Sequence, residues 1–257
     1  MTKARRIPIL LALAAGGLAL IMLTLSASAA PSAPLAYPGP APCNTSLQAC
    51  INGALPGDEI IIAPNTYVTK VILNKAVSLT GANLATTIIE ALPGERVLLL
   101  TGAGVTPDTV ISNLTIHGGV LATNDGAGIL VRAGAQPTLR NLIIQSGTVS
   151  APTAVGGGLA TESSLTLTNI TFSQNTAFAG HGGGLAGGPG AHLNLINVTF
   201  NNNGADQGGG GLYADSASIT GSTFVLNVAG VPGHGGGAFI SGTVVVTNTL
   251  FAENQAH

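Results

Sequence analysis

Acidic and imidazole side chains are scarce enough in this chain to be weighed singly: 10 Asp and Glu and 5 His among 257 residues. Aligning the chain on the residue after each glycine cluster (Ile129, Leu159, Leu185, Leu212, Ala238) shows which of them share a column. Three positions on, the column reads Arg132, Glu162, Gly188, Asp215, Ser241. If each repeat is one layer of a stack, Arg132 and Glu162 face each other across one layer, where a surface ion pair is worth about 0–1 kcal/mol. Glu162 and Asp215 are then two layers apart, about 10 Å at the inter-strand spacing. That is near the carboxyl separation with which an inverting glycosidase accommodates its water. The plainer reading is a solvated face. Four positions before the landmarks stand Asp125, Val155, His181, Gly208 and His234. His181 is the third candidate for a catalytic role, although a histidine between glycines is more simply a turn residue.

These residues are positioned by a repeat. Glycine clusters end at Gly158, Gly184, Gly211 and Gly237, an almost constant interval. Each is followed by alternating apolar residues and then by Phe-x-x-Asn, beginning at Phe172, Phe200, Phe224 and Phe251. A fixed period of this size, with β-type segments and no helix between them, indicates a solenoid in which each repeat stacks on the last.

Within a repeat the alternation slips by one place. Leu165 and Leu167 face one way, and after Asn169 the same face is continued by Ile170 and Phe172. Such a shift sends side chains to the opposite face, so both halves reach one core only if the chain turns a corner at the asparagine. Asn113, Asn141, Asn169, Asn197 and Asn248 hold this place, with Gly221 as a gap. They are expected to stack as a ladder that satisfies the polar groups of a buried corner. The fold expected is therefore all-β, a parallel β-helix of about seven coils with an N-terminal capping helix.

Residues 1–29 read as a signal peptide: Lys3, Arg5 and Arg6, an apolar run from Ile7 to Leu25, and Ala27-Ser28-Ala29 for cleavage. An uncleaved membrane anchor is the rival reading. Residues 30–44 read as a Pro-rich linker and 45–257 as the β-helix. Leu47, Cys50, Ile51 and Ala54 fall at helical spacing, so a helix from Thr45 to Leu55, capped by Asn44 or Thr45 and stopped by Pro56-Gly57, would plug the first coil. Cys43 and Cys50 either form a disulfide, as suits an exported protein, or remain free thiols.

Without Lys3, Arg5 and Arg6 the chain carries 5 basic (8 − 3) and 10 acidic residues. That balance argues against nucleic acid or anionic lipid as partner.

The stretch from Ser46 through Pro56-Gly57-Asp58, the apolar strand Ile60-Ile61-Ile62 and Asn65-Thr66-Tyr67 resembles the N-terminal segment of right-handed parallel β-helix proteins of the pectate-lyase-like kind. The later repeats, with Gly156-Gly157-Gly158-Leu159 and Phe172-Ser173-Gln174-Asn175 as their pattern, are similar to those of polymorphic outer membrane proteins. The resemblance implies a right-handed β-helix and leaves activity open, because enzymes and non-enzymes share the architecture. His181 and His234, each between glycines, superficially resemble a motif of β-helical polygalacturonases, but that family's accompanying Asp-Asp, Asn-Thr-Asp and Arg-Ile-Lys elements are missing from this sequence. Gly187-Gly188-Pro189-Gly190-Ala191-His192 begins like the calcium nonapeptide of toxin repeats but has histidine where the ligating aspartate belongs, so no calcium is expected. No phosphate-loop Lys-Ser/Thr follows the glycines, and no metal or cofactor is expected.

Two functions remain at this level. One is a secreted or surface-displayed non-catalytic scaffold for adhesion or contact with polysaccharide or another cell-surface ligand. The other is a polysaccharide lyase or glycoside hydrolase on the same coil. An ice-binding face is disfavoured because the threonines hold no strict column. The last repeat ends without an encoded cap, so further repeats or an attachment domain are expected beyond His257, and any membrane association would run through that domain or an uncleaved leader.

Overall fold

The computed structural model describes residues 33–257; the segment read as a signal peptide lies outside the described residues. From Glu59 onward the chain winds into stacked coils whose strands pair only in parallel, each with the same position of the next coil. The long sheet takes its coil-starting strands from Glu59–Ile62, Ser78–Gly81, Val110–His117, Thr138–Gln145, Leu165–Ser173, His192–Ile196, Ser216–Thr220 and Val244–Thr247. That is eight coils rather than about seven. The difference arises at the start, where Ile60 pairs with Leu79, a much shorter step along the chain than those from Leu139 to Leu167 and from Leu167 to Leu195.

A second sheet of seven short strands runs from Val71–Leu73 to Ala238–Ile240, and a third of six still shorter strands from Val120–Leu121 to Gln255–Ala256. In the second sheet Ile129, Leu159, Leu185, Leu212 and Ala238 pair in one column, the register used to align the candidate residues. The core is a tube of stacked like residues. Ile89, Ile116 and Ile144 form a column that continues as Phe172, Phe200, Phe224 and Phe251. The phenylalanine rings lie 4.9, 4.5 and 4.6 Å apart and within 11° of parallel, in the range where offset stacking adds about 0.5–1.5 kcal/mol per pair.

Every corner asparagine has the left-handed backbone that the phase slip demands: φ is 57° at Asn113, 51° at Asn141, 54° at Asn169, 55° at Asn197 and 49° at Asn248, with 61° at Gly221. The carboxamides point outward, however, and Asn169, Asn197 and Asn248 are exposed. Asn169 Nδ2 donates to Asn141 Oδ1 at 3.0 Å and Asn197 Nδ2 to Asn169 Oδ1 at 3.3 Å. This is a surface ladder rather than the buried one expected, because at this corner the backbone turns the side chain away from the tube.

The buried ladder is the other asparagine series, the last residue of each Phe-x-x-Asn. Asn175, Asn203 and Asn227 are at most 1% exposed. Asn203 Oδ1 accepts both the backbone N–H and the Nδ2 of Asn175 (3.0 Å each), while Asn203 Nδ2 donates to Phe172 O at 3.0 Å and Asn227 Oδ1 at 2.9 Å. Asn227 repeats the pattern with Asn254 and Phe200 O. The residue before each, Gln174, Asn202, Leu226 or Glu253, has φ of 54–56°, so the turn is kept even where leucine must adopt a conformation that costs about 1–2 kcal/mol. The glycine clusters make room for these columns: a Cβ on Gly184 would lie 2.7 Å from Gly211 O and 3.0 Å from the Phe200 ring.

The first coil is covered by the N-terminal segment. The helix spans Leu47–Gly53 and is capped by Ser46, whose Oγ accepts from Ala49 N at 3.1 Å. It is shorter than the expected Thr45–Leu55 because the cap falls at Ser46. Leu47, Cys50 and Ile51 are buried against the tube. The Gln48 carboxamide pairs with the exposed strand edge, accepting from Ile72 N at 2.7 Å and donating to Ile72 O at 3.0 Å. Cys43 and Cys50 are disulfide-bonded. Part of the expected linker is structural: Leu35–Tyr37 pairs in parallel with Glu59–Ile62 and protects that edge.

Asn203→Ala is expected to lower stability by at least about 2 kcal/mol, since each buried group left unpaired costs about 1–3 kcal/mol. Asn169→Gly is expected to cost under about 1 kcal/mol, because glycine adopts the left-handed corner readily and already does so at Gly221. Denaturant unfolding of the two variants checks the order; equal losses would contradict the assignment of the buried ladder.

Candidate functional site

The column of Arg132, Glu162 and Asp215 lies just past the second sheet, where each coil turns toward the long sheet. Arg132 Nη1 donates to Glu162 Oε1, and Glu162 Oε2 accepts the N–H of Ala133 at 2.9 Å. Partial burial would push the Glu162 carboxyl up, but the Ala133 N–H and the Arg132 guanidinium together hold it below the usual carboxylate range. Asp215 is held in the same way, its Oδ2 accepting from Gly190 N at 2.9 Å and its Oδ1 from Ser241 Oγ at 3.3 Å. Each carboxylate therefore ties its own coil to a neighbouring turn. Asp125 and Asp206 do likewise, accepting from Val155 N at 2.9 Å and Ala179 N at 2.8 Å. These acids bridge coils by satisfying loop N–H groups that no strand pairs.

His181 is placed differently. His181, Gly208 and His234 form one column of isolated parallel bridges. The His181 ring stacks on Tyr213 at 4.3 Å, Tyr213 lies 5.7 Å from Phe239, and Phe239 lies 6.0 Å from His234. Beside this stack a groove of about 500 Å³ is lined by Ala179, His181, Asp206, Gln207, Val231, Pro232 and His234. His181 Nδ1 is buried and has no hydrogen-bond partner. Burial depresses the His181 imidazole below its ordinary range, against a smaller upward pull from the Gln207 amide. Gln207 Nε2 is anchored on Ala179 O at 2.6 Å. The structure thus brings His181 into a groove with Gln207 and His234, and leaves Glu162 and Asp215 in a separate column.

Gln207, Tyr213, Phe239 and the Val231-Pro232 shelf were not singled out from the sequence. The aligned columns carried a faint signal, since Tyr213 and Phe239 stand where Leu130, Ala160 and Ala186 stand in earlier coils. Among the described residues no group of three or more His, Cys, Asp or Glu converges as metal ligands would.

With the parallel coils and their loops in view, a comparison with protein families gives a match to the right-handed β-helix region over residues 97–256. The chain belongs to the right-handed β-helix family. The match to that family covers the coils from the strand Leu98–Leu100 onward and carries the architecture; the likeness of the repeats to polymorphic outer membrane proteins rests on the motifs alone. No curated protein and no solved structure gave a match.

Because the Glu162 carboxyl has a lowered pKa, its stabilising contribution is complete above the ordinary value of 4.5 and is lost as pH falls through the depressed value. Arg132→Met is expected to move the Glu162 titration back upward toward 4.5. Carboxyl NMR titration of both proteins measures this, and an unmoved Glu162 would show that Arg132 does not hold it.

Proposed function

We propose that this β-helix is a non-catalytic scaffold displayed outside the cell, presenting its coils for contact with a polysaccharide or another cell-surface ligand. The observation that carries the reading is the engagement of both candidate carboxylates in holding turns together. Glycoside cleavage by a carboxyl pair needs one acid that keeps its proton near neutral pH, with a raised pKa. Glu162 is shifted the opposite way, by Ala133 N–H and Arg132, and Asp215 is occupied by Gly190 and Ser241. Placement outside the cell is supported by the basic, apolar and small-residue order of residues 1–29. The Cys43–Cys50 bond supports it too, since such bonds persist in oxidising compartments.

The purified protein, incubated with a panel of neutral and acidic polysaccharides, is expected to retain one or more of them in a pull-down and to release neither new reducing ends nor unsaturated products. Depolymerisation by the protein that is abolished in Glu162→Gln or Asp215→Asn would overturn the scaffold reading in favour of a lyase or hydrolase.

A further inference from the structure

We infer that Asn203-Gly204 is a covalent modification site held silent by the fold: Asn203 deamidates when the later coils open, and a reversible opening becomes a permanent one. Only two asparagines in the sequence, Asn52 and Asn203, are followed by glycine. An asparagine carboxamide is attacked by the backbone nitrogen of the next residue, and a side chain on that residue hinders the attack, so glycine leaves it most open. The other asparagines of the buried ladder precede Thr176, Val228 and Gln255, and those of the outer corners precede leucine, isoleucine, valine or threonine. Within the two ladders the reactive pair therefore falls at Asn203 alone.

The step is redox-neutral and needs only water. The Gly204 nitrogen bonds to Asn203 Cγ and gives up its proton, the Cγ–Nδ2 bond breaks, and Nδ2 leaves with that proton as ammonia. Water then opens the resulting cyclic imide at Cγ, leaving aspartate, or at the main-chain carbonyl carbon, leaving isoaspartate with the chain running through the side-chain methylene. In the folded protein neither reacting group is free. Gly204 N donates to Asn175 O at 2.9 Å. Asn203 is 1% exposed, and its carboxamide is fixed through both atoms, Oδ1 by Asn175 and Nδ2 by Phe172 O and Asn227 Oδ1. Turning Cγ toward the Gly204 nitrogen breaks these bonds, so the reaction waits for the coils to separate.

The product does not fit the place it came from. Aspartate presents an acceptor-only carboxylate to Phe172 O and Asn227 Oδ1, both of them acceptors, in an interior where an unpaired charge is costly. Isoaspartate also adds a methylene to the main chain just before Gly204 and Ala205, whose pairings with Thr176 and Ala177 on one side and with Val228 and Ala229 on the other set the register of the third sheet. Coils that opened and reacted cannot close as they were, and survival of the fold becomes a matter of rate. Glycine at 204 is demanded by neither backbone nor packing. Its φ is not left-handed, and an added Cβ would meet only Val228 O, at 4.0 Å. Thr148, Thr176 and Val228 stand in the same column.

The test follows Asn203 and Asn52 by peptide mapping of the full chain, folded and in denaturant, in mildly alkaline buffer. In denaturant both are expected to convert at similar rates, and in the folded protein Asn203 is expected to convert at least about a hundredfold more slowly, because the open state is a small fraction of the population. Gly204→Thr supplies the residue found at Thr148 and Thr176. It is expected to keep the native circular dichroism and, in denaturant, to leave Asn203 intact over the time in which Asn52 converts. Recovery of the folded state after removal of denaturant is expected to fall in step with conversion at Asn203 in the wild type and to hold in Gly204→Thr. Cys43 and Cys50 are paired with each other, so free thiols take no part in that loss. Asn203→Asp, the product made directly, is expected to melt well below the wild type. Three results would overturn the inference: conversion of Asn203 in the folded protein at less than a hundredfold suppression, an Asn203→Asp variant as stable as the wild type, or loss of recovery in Gly204→Thr as fast as in the wild type. The comparison of folded with denatured wild type stands without either variant.

Discussion

From Glu59 onward every strand pairing runs between coils, and none closes within one. The partner of a residue is therefore the residue in the same position one coil away, and a coil that slipped by one place would turn its apolar face outward. Asn175, Asn203, Asn227 and Asn254 hold the later coils against that slip. The carboxamide oxygens of Asn203, Asn227 and Asn254 each accept from both the backbone N–H and the Nδ2 of the asparagine one coil before, and in a dry interior such a set is left unpaired by a slip of register. The phenylalanine stack and the glycine clusters follow from it. The rings stack because the asparagines three places on are aligned, and the glycines are small because both columns press against them.

Those stacked coils also explain what kind of surface the protein presents. A thin tube has much perimeter and little interior, so its polar groups are divided between loops that must be tied down and faces open to solvent. Glu162, Asp206 and Asp215 are drawn to the first task. The groove beside His181 belongs to the second, next to the stacked pair Tyr213 and Phe239, which stands where earlier coils have small or aliphatic residues and carries the histidines on its rings.

Much of this architecture was legible in the residues. The period, the phase slip and the columns beginning at Ile129 all correspond to observed pairings, because a parallel solenoid writes its contacts into the sequence as a repeat. Two asparagine series share that repeat, and here the sequence was ambiguous. Asn169 and Asn175 are the same residue type in the same coil, and only the local backbone decides which carboxamide turns inward. The short first coil and the strand at Leu35–Tyr37 were hidden for another reason: neither repeats anything. Of the candidate site, the column joining Arg132 to Glu162 was readable from spacing, but the hold of Ala133 N–H on Glu162 and of Gly190 N–H on Asp215 was not, since loop amides carry no sequence signal. The stack of His181 on Tyr213 was equally hidden, because the two stand in different columns and their side chains meet diagonally from one coil to another.

The direction of the inter-coil bonds has a mechanical consequence. A tube whose strand hydrogen bonds run along its axis is weakest to a pull along that axis, because tension entering at one end is borne by the terminal coil alone before it reaches the next. At the N-terminal end the first elements to take such a load are the Leu35–Tyr37 strand and the Gln48 clasp on Ile72. The Cys43–Cys50 bond spans only seven positions and ties the plug to itself, not to the coils. Under tension the plug would therefore detach as one knot, and the coils behind it would peel away in order, each lengthening the chain by its own contour while the remainder kept its shape.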